Sequence, residues 1–427
     1  MIQNQESAAP PGPASQASAS GHELRRRNCG SVRSLEVALL TGGGDRPYAL
    51  GLTSTLAAHG ILVDFIGSDD LDLPELRALS NVSFRNLRGD QRPDAKWWTK
   101  AVRVFRYYSR LLRYAATARP RVFHILWNDK FELFDRTVLM LYYRLLNKKI
   151  VFTAHNVNAA KRDSRDTRLN RASLSAQYNL AHHIFVHTSR MKNELVNSFA
   201  IPDAKVSVIP LGVNNTVPVT DLTSAEAKRQ LGLAPHHRVL LFFGRIAPYK
   251  GLEYLTAALA ELPKSDGNYR LIIAGSIKDC AEYWSRIQED ISRAGIRPAI
   301  IERIEFIPDR ETELYFKAAD VLILPYVDIF QSGVLVLAYS FGLPVIAADV
   351  GSLRDEIVEG ATGYVFRPKD PADLAKTIQA YFSSPLFREL AERRRAIQDY
   401  ANDRYSWAKV GEITRGVYES MLGGATE

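Results

Sequence analysis

The stretch Gly244-Arg-Ile-Ala-Pro-Tyr-Lys-Gly251 comes directly after the apolar run Val239–Phe243. Such a run reads as a buried strand, and a glycine at its end lets the backbone turn tightly and approach a ligand closely. Arg245 and Lys250 then set two cations beside the start of a helical segment. Helix-terminal amides already favour anions, so two fixed cations there suit a diphosphate that must be held and then stabilised as it leaves. Without that context the two side chains would be solvated cations on a loop. The strand before them and the glycines on both sides favour the phosphate reading, with Gly244 part of the binding turn.

Two other turns carry weaker chemistry. Thr41-Gly-Gly-Gly44 succeeds the run Leu35–Leu40. Glycines there permit close approach of a phosphate or sugar, which makes Gly43, Gly44 and Arg46, beside Asp45, candidates for an acceptor or phosphate loop. Thr153-Ala-His-Asn156 closes the run Ile150–Thr153 and would aim His155 into a ligand cleft as a catalytic group. His124 lies inside a buried run and reads as structural, and His187 stays unassigned. The two cysteines, Cys29 and Cys280, give neither a disulfide framework nor metal-ligand spacing. No Asp-x-Asp metal motif stands in a suitable loop, so no metal is expected.

These turns need elements to position them. Short apolar runs alternate with helical stretches: Leu35–Leu40, Ile61–Ile66, Val82–Leu87, Val122–Trp127, Ile150–Thr153, Ile184–Val186 and Val206–Ile209. A second series is Val239–Phe243, Leu271–Ala274, Ile304–Ile307, Val321–Leu324, Val345–Ala347 and Tyr364–Phe366. Strands covered by helices on both faces read this way, so the pattern predicts two α/β, Rossmann-like, doubly wound parallel-sheet domains facing across a cleft. The expected division is a disordered Ala/Ser/Pro-rich tail over 1–33, a first domain over 34–215, a linker over 216–225 and a second domain over 226–398.

The chain has 427 residues and a net charge of +8, enough for two full cores and a preference for anionic partners. Zinc-finger spacing and RNA-binding aromatic signatures are absent, so nucleic acid is not expected. No apolar segment is long enough to span a bilayer, and the N-terminus lacks the apolar centre of a signal peptide, which predicts a cytoplasmic protein. The stretch 96–114 is basic and amphipathic. Trp97, Trp98, Ala101, Phe105, Tyr108 and Leu112 fall on one side of a helical wheel, and Lys96, Lys100, Arg103, Arg106, Arg110 and Arg113 on the other. Such a helix either packs its apolar side on the sheet, the favoured reading, or touches anionic lipid as a peripheral contact.

Five segments in order resemble the family 4 retaining glycosyltransferases, whose fold is called GT-B. Phe243-Gly-Arg…Lys250-Gly251 is similar to the family's GR(x)4–5KG motif. Val208-Ile-Pro-Leu-Gly-Val-Asn214 resembles its VIPNGVD run, and Ala319-Asp-Val-Leu-Ile-Leu-Pro325 its ADVFVLPS strand. Phe341-Gly-Leu-Pro-Val-Ile-Ala347 and Gly351-Ser-Leu…Gly360-Ala-Thr-Gly363 are similar to the family's next two segments. The likeness covers Leu35 to the C-terminus. It implies a metal-independent hexosyltransferase that moves a sugar, with retention, from a UDP- or GDP-linked donor to a saccharide or lipid-linked saccharide, as in exopolysaccharide or glycoconjugate synthesis. The nucleotide sugar is a substrate, and no cofactor is implied.

The same resemblance gives Arg245 and Lys250 the donor diphosphate and adds the amides of Gln331, Ser332, Gly333 and Val334 at the next helix start. It gives Ile304–Pro308 backbone contact with the base and places His155 near the transferred sugar. It also implies that the helix 399–424, after Tyr405-Ser-Trp-Ala408, crosses back to complete the first domain. One departure stands out. The family's two glutamates, eight positions apart, fall on Ile329 and Leu337, and Asp328, one residue before the first, is the candidate for the sugar contact. A GT-B protein that binds nucleotide sugars with little or no transfer, or a GT-B epimerase, is therefore the alternative.

Overall fold

The computed structural model describes residues 35–92, 96–162, 166–213, 217–263, 268–277 and 280–423. The expected tail, 1–33, lies outside the described residues, as do Asn214 and the first residue of the expected linker.

Among the described residues, thirteen strands form two all-parallel sheets. β1 (Glu36–Leu40), β2 (Leu62–Gly67), β3 (Val82–Asn86), β4 (Val122–Ile125), β5 (Lys149–Thr153), β6 (His183–Val186) and β7 (Val206–Val208) lie in the order β3-β2-β1-β4-β5-β6-β7. β8 (Arg238–Phe243), β9 (Tyr269–Ala274), β10 (Ile300–Arg303), β11 (Val321–Leu324), β12 (Val345–Ala348) and β13 (Gly363–Phe366) lie in the order β10-β9-β8-β11-β12-β13. Strand order reverses between β1 and β4 and again between β8 and β11. At such a reversal the connections leave in opposite directions and open a crevice beyond the strands' carboxyl ends. The glycine loop after β1 and the Gly244–Gly251 turn after β8 each sit at one of these points.

The runs Val122–Trp127 and Val239–Phe243 became central strands because every residue of β4 and most of β8 are buried. The expected strand Ile304–Ile307 did not form. The third strand of that series is Ile300–Arg303, at the sheet edge, while Phe306 is 75% exposed. An edge strand with Glu302 and Arg303 breaks the continuous apolar pattern that marks a central one, so the apolar run just beyond it drew the assignment.

The basic stretch forms the helix Trp97–Thr117, but its buried side is Tyr107, Tyr108, Leu111 and Ala115. Of the apolar side drawn from the wheel only Tyr108 is buried; Trp97 and Phe105 are each 76% exposed. The helix turns that way because Arg103 reaches inward to Asp90 and the Tyr107 hydroxyl donates to Asp129. Its N-terminal half therefore carries apolar side chains that no described residue covers fully.

The last helices divide between the two sheets. Ile397, Ala401 and Tyr405 pack in the core of the second sheet, whereas Val410 and Tyr418 of the helix Trp407–Gly423 pack with Val37, Leu39 and Leu52 under the first. The return therefore starts at Ser406 rather than at 399. Two glycines seat it: a Cβ on Gly51 or Gly212 would come within 2.1 or 2.4 Å of the Trp407 ring. Tyr418 also bonds His124 Nδ1 at 2.6 Å, and His124 Nε2 meets Thr153 Oγ1 at 2.7 Å. That satisfies both nitrogens of a buried histidine, and burial pushes it down to about 3.

Candidate active site

At the β8/β11 reversal the chain is folded tightly on itself. Gly244 has φ +99° and Gly251 φ +66°. A Cβ on Gly251 would stand 2.0 Å from the Pro325 carbonyl oxygen, so only glycine admits the approach. The Val327 amide donates to the Tyr249 carbonyl at 2.8 Å, tying the loop after β11 to the turn after β8.

Lys250 is buried, whereas Arg245 is exposed. Lys250 Nζ donates to the Tyr326 hydroxyl at 2.9 Å and sits 4.8 Å from the centre of that ring. The Tyr326 hydroxyl in turn lies 3.2 Å from Ser332 Oγ. Ser332 caps the helix Gly333–Ser340, accepting from the Leu335 amide at 3.4 Å. No acidic residue occupies the first turn of that helix, and among the described residues no carboxylate pairs with Lys250. A buried ammonium and the positive end of a helix thus face one another without a counter-charge. That arrangement is costly unless an anion fills it.

The other residues expected here gather around the same point. Val334 Cγ2 lies 3.6 Å from where Gly244 would carry a Cβ, and Gly333 is exposed at the helix start. Gln331 donates from Nε2 to Glu356 at 3.2 Å, leaving its buried Oε1 without a partner. Glu356, missed in the sequence, also holds the Tyr405 hydroxyl, and burial lifts its carboxyl above the usual range. Asp328 is exposed, Ile329 is half-buried and Leu337 is buried.

The first sheet contributes a second group. His155 stacks on Trp127 at 4.1 Å and meets the Tyr48 ring edge-on at 4.6 Å. His187 Nδ1 lies 3.3 Å from the Ile209 carbonyl, which can only accept, so Nδ1 carries the proton. His187 Nε2 then accepts from His155 Nδ1 at 2.9 Å. His155 Nε2 is left bare, buried and unpartnered. Burial pushes His187 down to about 4, and burial with the neighbouring histidines pushes His155 well below its ordinary range. His155 is therefore a neutral acceptor for a hydroxyl hydrogen, held in one tautomer, and not an acid. His187 could have been found from its place at the end of β6, alongside His155 at the end of β5.

The glycine loop is explained by packing. A Cβ on Gly42 would strike the Trp127 carbonyl oxygen at 2.1 Å, one on Gly43 the Arg88 guanidinium at 2.2 Å, and one on Gly44 the Trp127 ring at 1.9 Å. Arg46, exposed, opens the helix Arg46–Ala58 behind Asp45. Crowding lifts the Asp45 carboxyl, and the charge of Asp309, from the second sheet's side, adds to the shift. Among the described residues no group of three or more metal-ligating side chains gathers.

Two parallel sheets of this order, with a buried cation and a glycine turn at the reversal of the second, have the architecture of the GT-B fold. The model for glycosyl transferases group 1 matches residues 223–404 and the model for glycosyltransferase family 4 matches 42–217; the chain belongs to this glycosyltransferase family. It is 24% identical over 89% of its length to an uncharacterized glycosyltransferase of Methanocaldococcus jannaschii, covering 95% of that protein. It is 29% identical over 64% of its length to a D-inositol 3-phosphate glycosyltransferase of Corynebacterium diphtheriae, of which it spans 66%. The Anabaena protein HepE, solved with UDP-glucose, superposes over 90% of this chain and all of that one, with a TM-score of 0.69 at 16% identity.

Proposed function

We propose that the protein transfers a sugar, with retention, from a nucleotide-diphosphate donor to an acceptor hydroxyl, in exopolysaccharide or glycoconjugate synthesis in the cytoplasm. The observation that carries this reading is Lys250, buried with no carboxylate partner among the described residues and close to the uncompensated N-terminus of Gly333–Ser340. The donor diphosphate would fill that gap, with Arg245 and the amides of Gly333 and Val334 beside it. These groups supply the leaving group's countercharge, so turnover should persist in EDTA. The second sheet's half would bind the donor and the first half the acceptor, with His155 Nε2 accepting from a hydroxyl of the transferred sugar. The UDP-glucose bound to HepE supports a nucleotide-sugar donor.

The test is to screen UDP- and GDP-sugars for a rise in melting temperature, since a ligand selective for the native state stabilises it. The stabilising donor is then followed into product with acceptors. Stabilisation that survives Arg245→Ala with Lys250→Ala would refute the assignment.

A nucleotide-sugar binder of low activity is a second reading, favoured by Ile329 and Leu337 standing where carboxylates are expected. Saturable donor binding without transfer to any acceptor would select it. We also assign the helix Trp97–Thr117 a peripheral contact with anionic lipid, supported by exposed Trp97, Trp98, Val102 and Phe105 beside Arg106, Arg110 and Arg113. No helix among the described residues is long and apolar enough to cross a membrane.

A further inference from the structure

Beside the glycine loop, a cavity of about 240 Å³ opens between the loop after β3, the helix Trp97–Thr117 and the loop after β4. Five cationic side chains and two carboxylates line it, an excess of three positive charges. Both carboxylates already sit against cations. Asp129 Oδ1 lies 3.1 Å from the Arg88 guanidinium and its other oxygen accepts from Tyr107, while Asp90 is held by Arg92 and Arg103, each at 2.8 Å. Among the described residues Lys100 and Lys130 pair with no carboxylate. Arg88, its side chain only 9% exposed, leaves its second guanidinium nitrogen buried with no partner.

Such a surplus repels itself and costs stability unless a ligand neutralises it. We propose that this cavity binds an anionic group of the acceptor, a phosphate ester or diphosphate. Two ammoniums beside the Arg88 guanidinium suit several phosphoryl oxygens, whereas a single carboxylate would leave charge unmet. Its lining comes from the first sheet's loops and the helix Trp97–Thr117 alone, with no residue of the Gly244–Gly251 turn or of the helix Gly333–Ser340. That separates this site from the donor's. Its place supports the acceptor: Arg88 walls the cavity on one side and meets Gly43 on the other, at the same sheet edge as Trp127 and His155. The inference rests on the reading that sugar is transferred to an acceptor on this half.

The test titrates the full chain with inorganic pyrophosphate by calorimetry at fixed ionic strength. Two sites are expected. Lys100→Gln with Lys130→Gln should weaken one by about tenfold per cation removed and leave the other. Arg245→Ala with Lys250→Ala should abolish the other and leave this one. An unchanged isotherm for the Lys100/Lys130 pair overturns the cavity proposal; an unchanged isotherm for the Arg245/Lys250 pair overturns the donor reading instead. Glucose 6-phosphate and phosphatidic acid vesicles then compete for the cavity site. Displacement by the first assigns a soluble phosphorylated acceptor and by the second a lipid-borne one, while displacement by neither overturns the proposal.

Discussion

Lys250 is the position where charge and burial conflict most openly, because its only polar partner among the described residues is a tyrosine hydroxyl. Lys250→Met keeps the volume and removes the uncompensated charge, so the melting temperature should hold or rise. Turnover should fall by about two to three orders of magnitude, the usual loss for one group that stabilises developing charge. Arg245→Ala should cost as much activity with no change in melting, since the side chain is exposed. Parallel melting curves and saturating-donor kinetics check both. Leu337, buried at the position where the family resemblance implies a glutamate that holds the ribose, leads to a second expectation. A 2′-deoxy donor should be penalised by less than about 3 kcal/mol, because no buried carboxylate loses its partner; competition binding of the two nucleotides measures it. At this scale the sequence showed the cations and His155 through their places after strands. It did not show which cation is buried, since that depends on Tyr326 arriving from β11, 76 residues away.

The glycine loop separates the two reasons a glycine can be required. Gly43 has φ +73° and faces the Arg88 guanidinium, whereas Gly60 has φ +75° with nothing within 4 Å of a Cβ. Gly60→Ala should cost about 1–2 kcal/mol from backbone strain alone. Gly43→Ala should cost about 1–3 kcal/mol more, because the Arg88–Asp129 pair must shift; urea unfolding of both variants checks the difference. Central strands were legible because continuous apolar runs have few other uses. The edge strand β10 was not, because one side meets solvent. The helix Trp97–Thr117 was legible as a helix but not in its orientation. Its apolar residues spread around much more than one face, and the contacts of Arg103 and Tyr107 with distant loops decided which side turned inward. If the uncovered apolar side meets lipid, Trp98→Ala with Phe105→Ala should weaken cosedimentation with anionic vesicles without altering melting, both side chains being mostly exposed.

Across the whole molecule, buried neutral histidines make stability depend on pH. His124, held at about 3, and His187, at about 4, lie below the ordinary value near 6.5. Their contribution is complete above about pH 6.5 and is lost as pH falls towards 4, by about 1.4 kcal/mol per pH unit for each. Asp135, lifted to about 6 by burial, titrates in the same window with the opposite sign. The net slope alone is therefore not diagnostic, and the check is a comparison: between pH 7 and 5 His187→Gln should lose less stability than the unaltered chain. The return of the chain at Ser406 has a consequence for biosynthesis. Val410 and Tyr418 belong to the core beneath β1, so the first half cannot close that core while the second is still being made. At about 5–20 residues per second, the chain from Val213 to Gly423 takes on the order of 10–40 s to synthesise. For that interval the nascent first half leaves the seat of Trp407 empty, an apolar surface that a ribosome-associated chaperone would have to cover.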